Sequence, residues 1–152
     1  MATTTFQGIV RSNGGAGKGN ATPSVVTLSE VISFDPTAGA ATNVRIGSSS
    51  SSGETFVLPA GAVPVSFMTI GGATGGTNPT VDIGSSADPD GFFNEVDADT
   101  KGSLKGADGA LVVAGGIAAA TTVTGNVGAS AATGGTITGV FTYTVVDSGA
   151  ES

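Results

Sequence analysis

Six of the twelve acidic residues, Asp82, Asp88, Asp90, Glu95, Asp97 and Asp99, fall within eighteen positions. Hard oxygen ligands at such short spacing are what a calcium ion takes. The tightest match starts at Asp97. With Asp97, Asp99, Lys101, Gly102, Leu104 and Asp108 at positions 1, 3, 5, 6, 8 and 12 of a binding loop, the segment reproduces the acid pair, the turn glycine and the apolar residue of an EF-hand. It departs from that motif in placing a cation, Lys101, at position 5 and Asp108 where a bidentate Glu belongs, and Gly106 and Gly109 disfavour an exit helix. Asp97, Asp99 and Asp108 are thus the metal candidates, set against a solvated acidic loop whose charge Lys101 and Lys105 partly offset. No cofactor besides calcium is suggested.

The chain excludes most other site chemistry by composition. It has neither Cys nor His, so disulfides, thiolate nucleophiles, Ser-His-Asp and Cys-His catalysis and nearly all zinc sites are impossible within one chain. Gly17-Lys18 invites comparison with a phosphate-binding loop, but the required Gly and Ser/Thr positions hold Ser12 and Gly19. The dinucleotide pattern fails as well, since Gly17-Lys18-Gly19 runs on to Thr22. Paired carboxylates can hydrolyse glycosides. Here, though, Trp is absent and Tyr143 is the one Tyr, so a sugar platform would rest on Phe alone. No catalytic residue is assigned, and no enzyme is expected. The five bases, Arg11, Lys18, Arg45, Lys101 and Lys105, are scattered in a chain of net charge −7, which argues against nucleic acid as a partner. No stretch approaches the roughly 18 unbroken apolar residues that span a bilayer, so no membrane is expected.

Positioning any site requires a scaffold, and its pattern is β. The 152 residues suit one domain, and 26 Gly with 6 Pro leave few windows for a helix. Val26, Leu28, Ile32 and Phe34 alternate with Thr27, Ser29 and Ser33, the period of a half-buried strand. Ile137, Phe141, Tyr143 and Val145 alternate with Thr138, Thr142 and Thr144 in the same way. Shorter strands are expected at 43–46, 55–58, 62–70, 80–83, 110–113 and 121–123, with Val63, Val65 and Phe67 sharing a face. The serine run 48–52 reads as an exposed hairpin tip. Pro59-Ala60-Gly61 makes a turn, Pro fixing one φ and Gly accepting a positive one. Asp88 as an N-cap with Pro89 at the first helical position predicts one short helical turn near residues 89–96, burying Phe92, Phe93 and Val96. The expected fold is an all-β, single-domain antiparallel β-sandwich, jelly-roll-like. Its parts are a flexible N-terminal segment 1–20, the sandwich 21–147 and a C-terminal tail 148–152.

Four pieces recur in a telling order: Thr5-Phe6-Gln7-Gly8-Ile9-Val10-Arg11-Ser12-Asn13-Gly14; Leu58-Pro59-Ala60-Gly61-Ala62-Val63; Val81-Asp82-Ile83-Gly84 with Ala87-Asp88-Pro89-Asp90-Gly91-Phe92; and Phe141-Thr142-Tyr143-Thr144-Val145-Val146. In that order they resemble capsid decoration, or cement, proteins and related minor virion proteins of tailed bacteriophages. The long Gly and Ala stretch 115–135 departs from the pattern. The resemblance implies a homotrimer on the outer capsid surface, partnered with the major capsid protein; synthesis in the host cytoplasm is expected because Met1-Ala2-Thr3-Thr4-Thr5 shows no basic and apolar regions of a secretory signal. It brings no catalytic residues. An extended N-terminal arm could add to the shell as a strand, with Thr5, Phe6, Gln7, Ile9 and Arg11 as its contact residues. The alternative is a tail, fibre or head-spike protein with a host-surface or glycan-binding role.

Overall fold

The alternation of Val26, Leu28, Ile32 and Phe34 with polar neighbours folds as expected into one strand, β1 (Ser24–Phe34), with one side turned to the core. The computed structural model describes residues 24–36, 41–72, 77–106, 108–113, 117–128 and 135–147. Among these, β1 is followed by β2 (Thr42–Asn43), β3 (Arg45–Ile46), β4 (Val57–Leu58), β5 (Val63–Gly72), β6 (Thr80–Gly84) and β7 (Phe93–Asp97). Then come β8 (Leu104–Gly106), α1 (Ala110–Val113), β9 (Thr121–Thr122), β10 (Thr124–Val127) and β11 (Ile137–Asp147).

All described strand pairs are antiparallel, and five of them nest: β1 with β11, β2 with β10, β4 with β9, β5 with β8, and β6 with β7. A chain paired this way is one long ribbon doubled back at the β6–β7 connection. Rolled up, it gives a sheet in the order β3-β1-β11-β5-β8, a second in the order β2-β10-β6-β7, and the small pair β4-β9. Apart from β3 and the β4-β9 pair, successive ribbon pairs fall in alternate sheets, which is the arrangement of a jelly roll. The core between the sheets holds Ile32, Phe34, Phe67, Ile137 and Phe141 from the first and Val81, Ile83, Phe93 and Val96 from the second. The alternation expected of β11 holds too, with Ile137, Phe141 and Tyr143 buried and the threonines turned away. Ala62 N–H bonds back to Pro59 C=O at 3.1 Å, and Gly61 has φ +79°, the positive value its turn requires.

Local pattern and fold disagree in four places. The helical turn expected near residues 89–96 does not form. Instead Gly91 N–H closes a turn on Asp88 C=O at 3.1 Å over Pro89-Asp90, and Phe93–Asp97 pairs with β6. Pro suits the second position of such a turn as well as the start of a helix. The buried Phe93 and Val96 are three apart, a helical spacing, because β7 carries a bulge: Val81 faces Val96 while Ile83 faces Phe93. Glu95 absorbs the extra residue at φ +54°, and its N–H bonds the Asp82 carboxylate at 2.8 Å.

The helical turn lies instead at Ala110–Val113, where the sequence suggests a strand; Leu111 N–H there bonds Gly91 C=O at 3.1 Å. Residues 43–46 are likewise not one strand. The chain crosses from one sheet to the other at the buried Val44, whose N–H bonds Val123 C=O and whose C=O accepts from Phe56. In β5, a bulge opposite Thr142/Tyr143 turns Val65 outward while Pro64 and Phe67 stay buried, breaking the face expected of Val63, Val65 and Phe67. Segments 1–20 and 148–152 of the expected layout fall outside the described residues.

Candidate functional site

Several of the acidic side chains are engaged locally. Asp97 Oδ1 accepts the N–H groups of Asp99 and Thr100 at 2.9 and 3.0 Å, fastening the turn that follows β7. Those two bonds, Thr100 first, hold its carboxyl below the ordinary carboxylate range. Asp108 forms an ion pair with Lys105 at 3.0 Å, and Asp99 is exposed. Gly102 has φ +81°, so the turn glycine read from the spacing is real, but it leads into β8 rather than into a helix. Among the described residues no three acidic groups converge as a metal site would need, and Asp97, Asp99 and Asp108 are not brought together as a ligand set. Thr5, Phe6, Gln7, Ile9 and Arg11 lie outside the described residues.

At the doubled-back end of the ribbon the electrostatics run the other way. Burial pushes the Asp82 carboxyl up, the Glu95 backbone bond offsets part of this, and the charges of Asp90 and Glu95 add to the rise. Asp88 is raised first by its hydrogen bond with Asp90, then by desolvation and by the Asp90 charge. A carboxyl whose pKa is raised on folding opposes folding once ionised, and the opposition is gone below the unfolded value of 3.8. Asp82→Asn keeps an oxygen to accept the Glu95 N–H and removes the charge. It is therefore expected to raise the urea midpoint at pH 7, with the gain shrinking to nothing by pH 3. Asp97 has the opposite sign, and its contribution is lost as pH falls through its depressed folded value.

What the fold does assemble is a surface. On the outer face of the five-stranded sheet, Val31 pairs with Val140, Val140 with Met68, and Met68 with Leu104, forming one apolar row across four strands. Leu104 is 65% exposed and Val31 40%, with Val140 and Met68 half-buried between them. The bulged residues Val65 and Ile70 add exposed apolar surface on the same strand as Met68. The neighbouring rows are Ser29, Thr142, Ser66 and Gly106, then Thr27, Thr144 and Val63. Ser29 and Thr142 hydroxyls hydrogen-bond at 3.0 Å. None of these thirteen positions is charged, in a chain of net charge −7. Depletion of charge around an apolar centre is the composition of a protein-binding patch rather than of a solvated face.

The sheet also has an open side. β3 pairs with β1 only at Ile32 and Ser33, and Gly47 N–H takes the Val31 C=O at 2.7 Å. Between Ser24 and Glu30, β1 bonds β11 on one side and no strand among the described residues on the other.

The row was hidden in sequence because its four members come from four separate segments, and Leu104 sits in what reads as an acidic loop. Val140, standing among the outward threonines of β11, was the one local signal.

No family model matches the chain, and no curated protein matches it. Among solved structures, a chain of the cyanophage Pam1 capsid asymmetric unit is similar at 19% identity and a TM-score of 0.48, the match covering 95% of this chain and 98% of that one.

Proposed function

We propose that this protein is a structural virion component that binds the outer surface of a phage capsid and stabilises the shell by bridging capsid subunits, acting as a homotrimer against the major capsid protein. The observation that supports the reading best is the uncharged apolar row Val31–Val140–Met68–Leu104 on the outer sheet face. Such a face suits a protein partner, whereas a nucleic acid would call for Lys and Arg. The resemblance in the order of the sequence pieces points to a capsid as that partner.

The physical demand of the role is modest at each contact. Burying an aliphatic side chain is worth about 1.5–3 kcal/mol, and repetition of a weak contact over a lattice multiplies its effect. No reactive centre is needed.

The test mixes purified protein with undecorated capsids and images them. Density on the shell is expected, and density confined to the tail or a vertex would favour the fibre or head-spike alternative. Leu104→Glu combined with Val31→Glu puts two charges on the row. Binding to the shell is expected to weaken at least tenfold with the melting temperature little changed, while Asp99→Asn, outside the row, binds as wild type. Unimpaired binding by the double variant would remove the row from the reading.

A further inference from the structure

The doubled-back end of the ribbon contains a chemically weak peptide bond, Asp88–Pro89. An aspartate carboxyl can close a five-membered ring onto its own carbonyl carbon, and proline leaves as a secondary amine that takes up a proton readily. The fold prepares that carbonyl. Ser85 N–H and Gly91 N–H both donate to Asp88 C=O, at 2.8 and 3.1 Å. Two backbone donors at these distances have the geometry of an oxyanion hole, which stabilises the negative oxygen of a tetrahedral intermediate. The carbonyl is packed over Gly84, where any side chain would collide with it and with Pro89. The Asp88 carboxyl folds back over the same turn, its Oδ2 lying 2.8 Å from where a Cβ on Gly91 would stand.

A proton is supplied in the same turn. The Asp88 and Asp90 carboxyls hydrogen-bond, and two carboxyls do so only when one of them holds a proton. Asn94 Nδ2 steadies the pair, donating to Asp90 Oδ2 at 3.2 Å. The other charged groups of this end are Asp82 on β6, Glu95 on β7, and Asp108 ahead of α1, which is paired with Lys105. The chain carries its own comparison. Asp35–Pro36 is the same dipeptide, yet among the described residues Asp35 C=O accepts only the Thr42 hydroxyl, at 2.9 Å, and the Asp35 carboxylate takes the Thr136 hydroxyl at 2.6 Å rather than a second carboxyl.

We propose that the folded protein cleaves its own Asp88–Pro89 peptide bond, with the Asp88 carboxylate as nucleophile and the Ser85 and Gly91 N–H groups as the oxyanion pocket. A side-chain oxygen of Asp88 bonds to the Asp88 carbonyl carbon, the C–N bond breaks with its electron pair passing to Pro89 N, and the proton shared with Asp90 moves to that nitrogen. A cyclic anhydride remains at Asp88. Water opens it, so the sum is hydrolysis of one peptide bond, leaving two free carboxyls on Asp88 and a free amine on Pro89. The two products stay in one fold. Each of the pairs β1–β11, β2–β10, β4–β9, β5–β8 and β6–β7 joins a strand before the cut to one after it.

The test incubates the free full-length protein at pH 5 and follows its intact mass, with no capsid present, so the result is separate from that of shell binding. Fragments 1–88 and 89–152 are expected to accumulate at least tenfold faster than fragments cut at Asp35–Pro36. In concentrated urea the turn is lost, and the two rates are expected to converge. At pH 8, where the pair gives up its proton, the native cut is expected to slow at least tenfold. Asp88→Glu places the carboxyl one methylene too far for the five-membered ring and is expected to abolish the cut. Asp90→Asn cannot supply the proton and is expected to slow it at least tenfold. Should either variant fail to fold, the wild-type ratio between the two bonds decides. No fragment beginning at Pro89, equal native rates at the two bonds, a preference for Asp88–Pro89 that survives in urea, or folded variants that cut as wild type would each overturn the proposal.

Discussion

Phe141→Ala is expected to lower the unfolding free energy by about 3–5 kcal/mol, the range for removing a fully buried large aromatic. The side chain stands at the meeting point of the two sheets. Its ring lies 5.3 Å from Phe56 and 5.3 Å from Phe93, at 69° and 80°, with Phe92 at 6.4 Å and Tyr143 at 6.2 Å. These are edge-to-face and tilted contacts, each worth roughly 0.5–1.5 kcal/mol beyond simple burial. Truncation removes them together and leaves a cavity that surrounding strands, tied into their ladders, cannot collapse to fill. Against a typical total of about 5–15 kcal/mol, the variant loses a fifth or more of its stability. The urea midpoint should fall by about 1.5 M or more for a slope near 2 kcal/mol/M. A midpoint within about 0.5 M of wild type would mean that the aromatic cluster does not hold the sheets together.

Gly139→Ala is expected to cost about 3 kcal/mol, near the upper end for overpacking by a single methyl group. Gly139 sits on β11 opposite Thr69, next to a register shift, and the Phe67 ring occupies the space its missing side chain would fill. An added Cβ would meet the ring carbons of Phe67 and lie 2.7 Å from Met68 C=O. The ring is fully buried and the carbonyl belongs to the adjacent strand, so neither yields without moving the sheet. Phe67→Leu in the same chain makes room, and the double variant should recover at least about 1 kcal/mol relative to the sum of the singles. Gly106→Ala is the control, since nothing lies within 4 Å of a Cβ there, and its urea midpoint should be close to wild type. Equal costs at the two positions would show that the contact with Phe67 does not set the cost.

The two long strands were legible because their information is local: β1 and β11 each bury one side along a run long enough for period two to stand out. The short elements were not. β8 has three residues and β10 four, too few for alternation to be read, and β7 hid behind a bulge that mimics helical spacing. The turn chemistry at Asp88-Pro89 was real, but its outcome depended on whether β6 lay near enough to accept a partner. The acids illustrate the same limit. Spacing put Asp97, Asp99 and Asp108 at metal-binding intervals, yet Asp97 bonds its own turn and Asp108 pairs with Lys105.

The sequence by itself determined the class. Missing Cys and His, abundant Gly, alternating strands and scattered bases set a β-rich, acidic chain without the common catalytic apparatus, because these follow from residue chemistry and near-neighbour periodicity. Tertiary structure alone decided which strands lie side by side, and with that the surface. Val31, Val140, Met68 and Leu104 become one row only after the ribbon has rolled, since each pairing joins segments distant in the chain. The open edge of β1 is set in the same way, by where β3 stops. Register between distant strands depends on the packing of the whole core, and no local pattern encodes it.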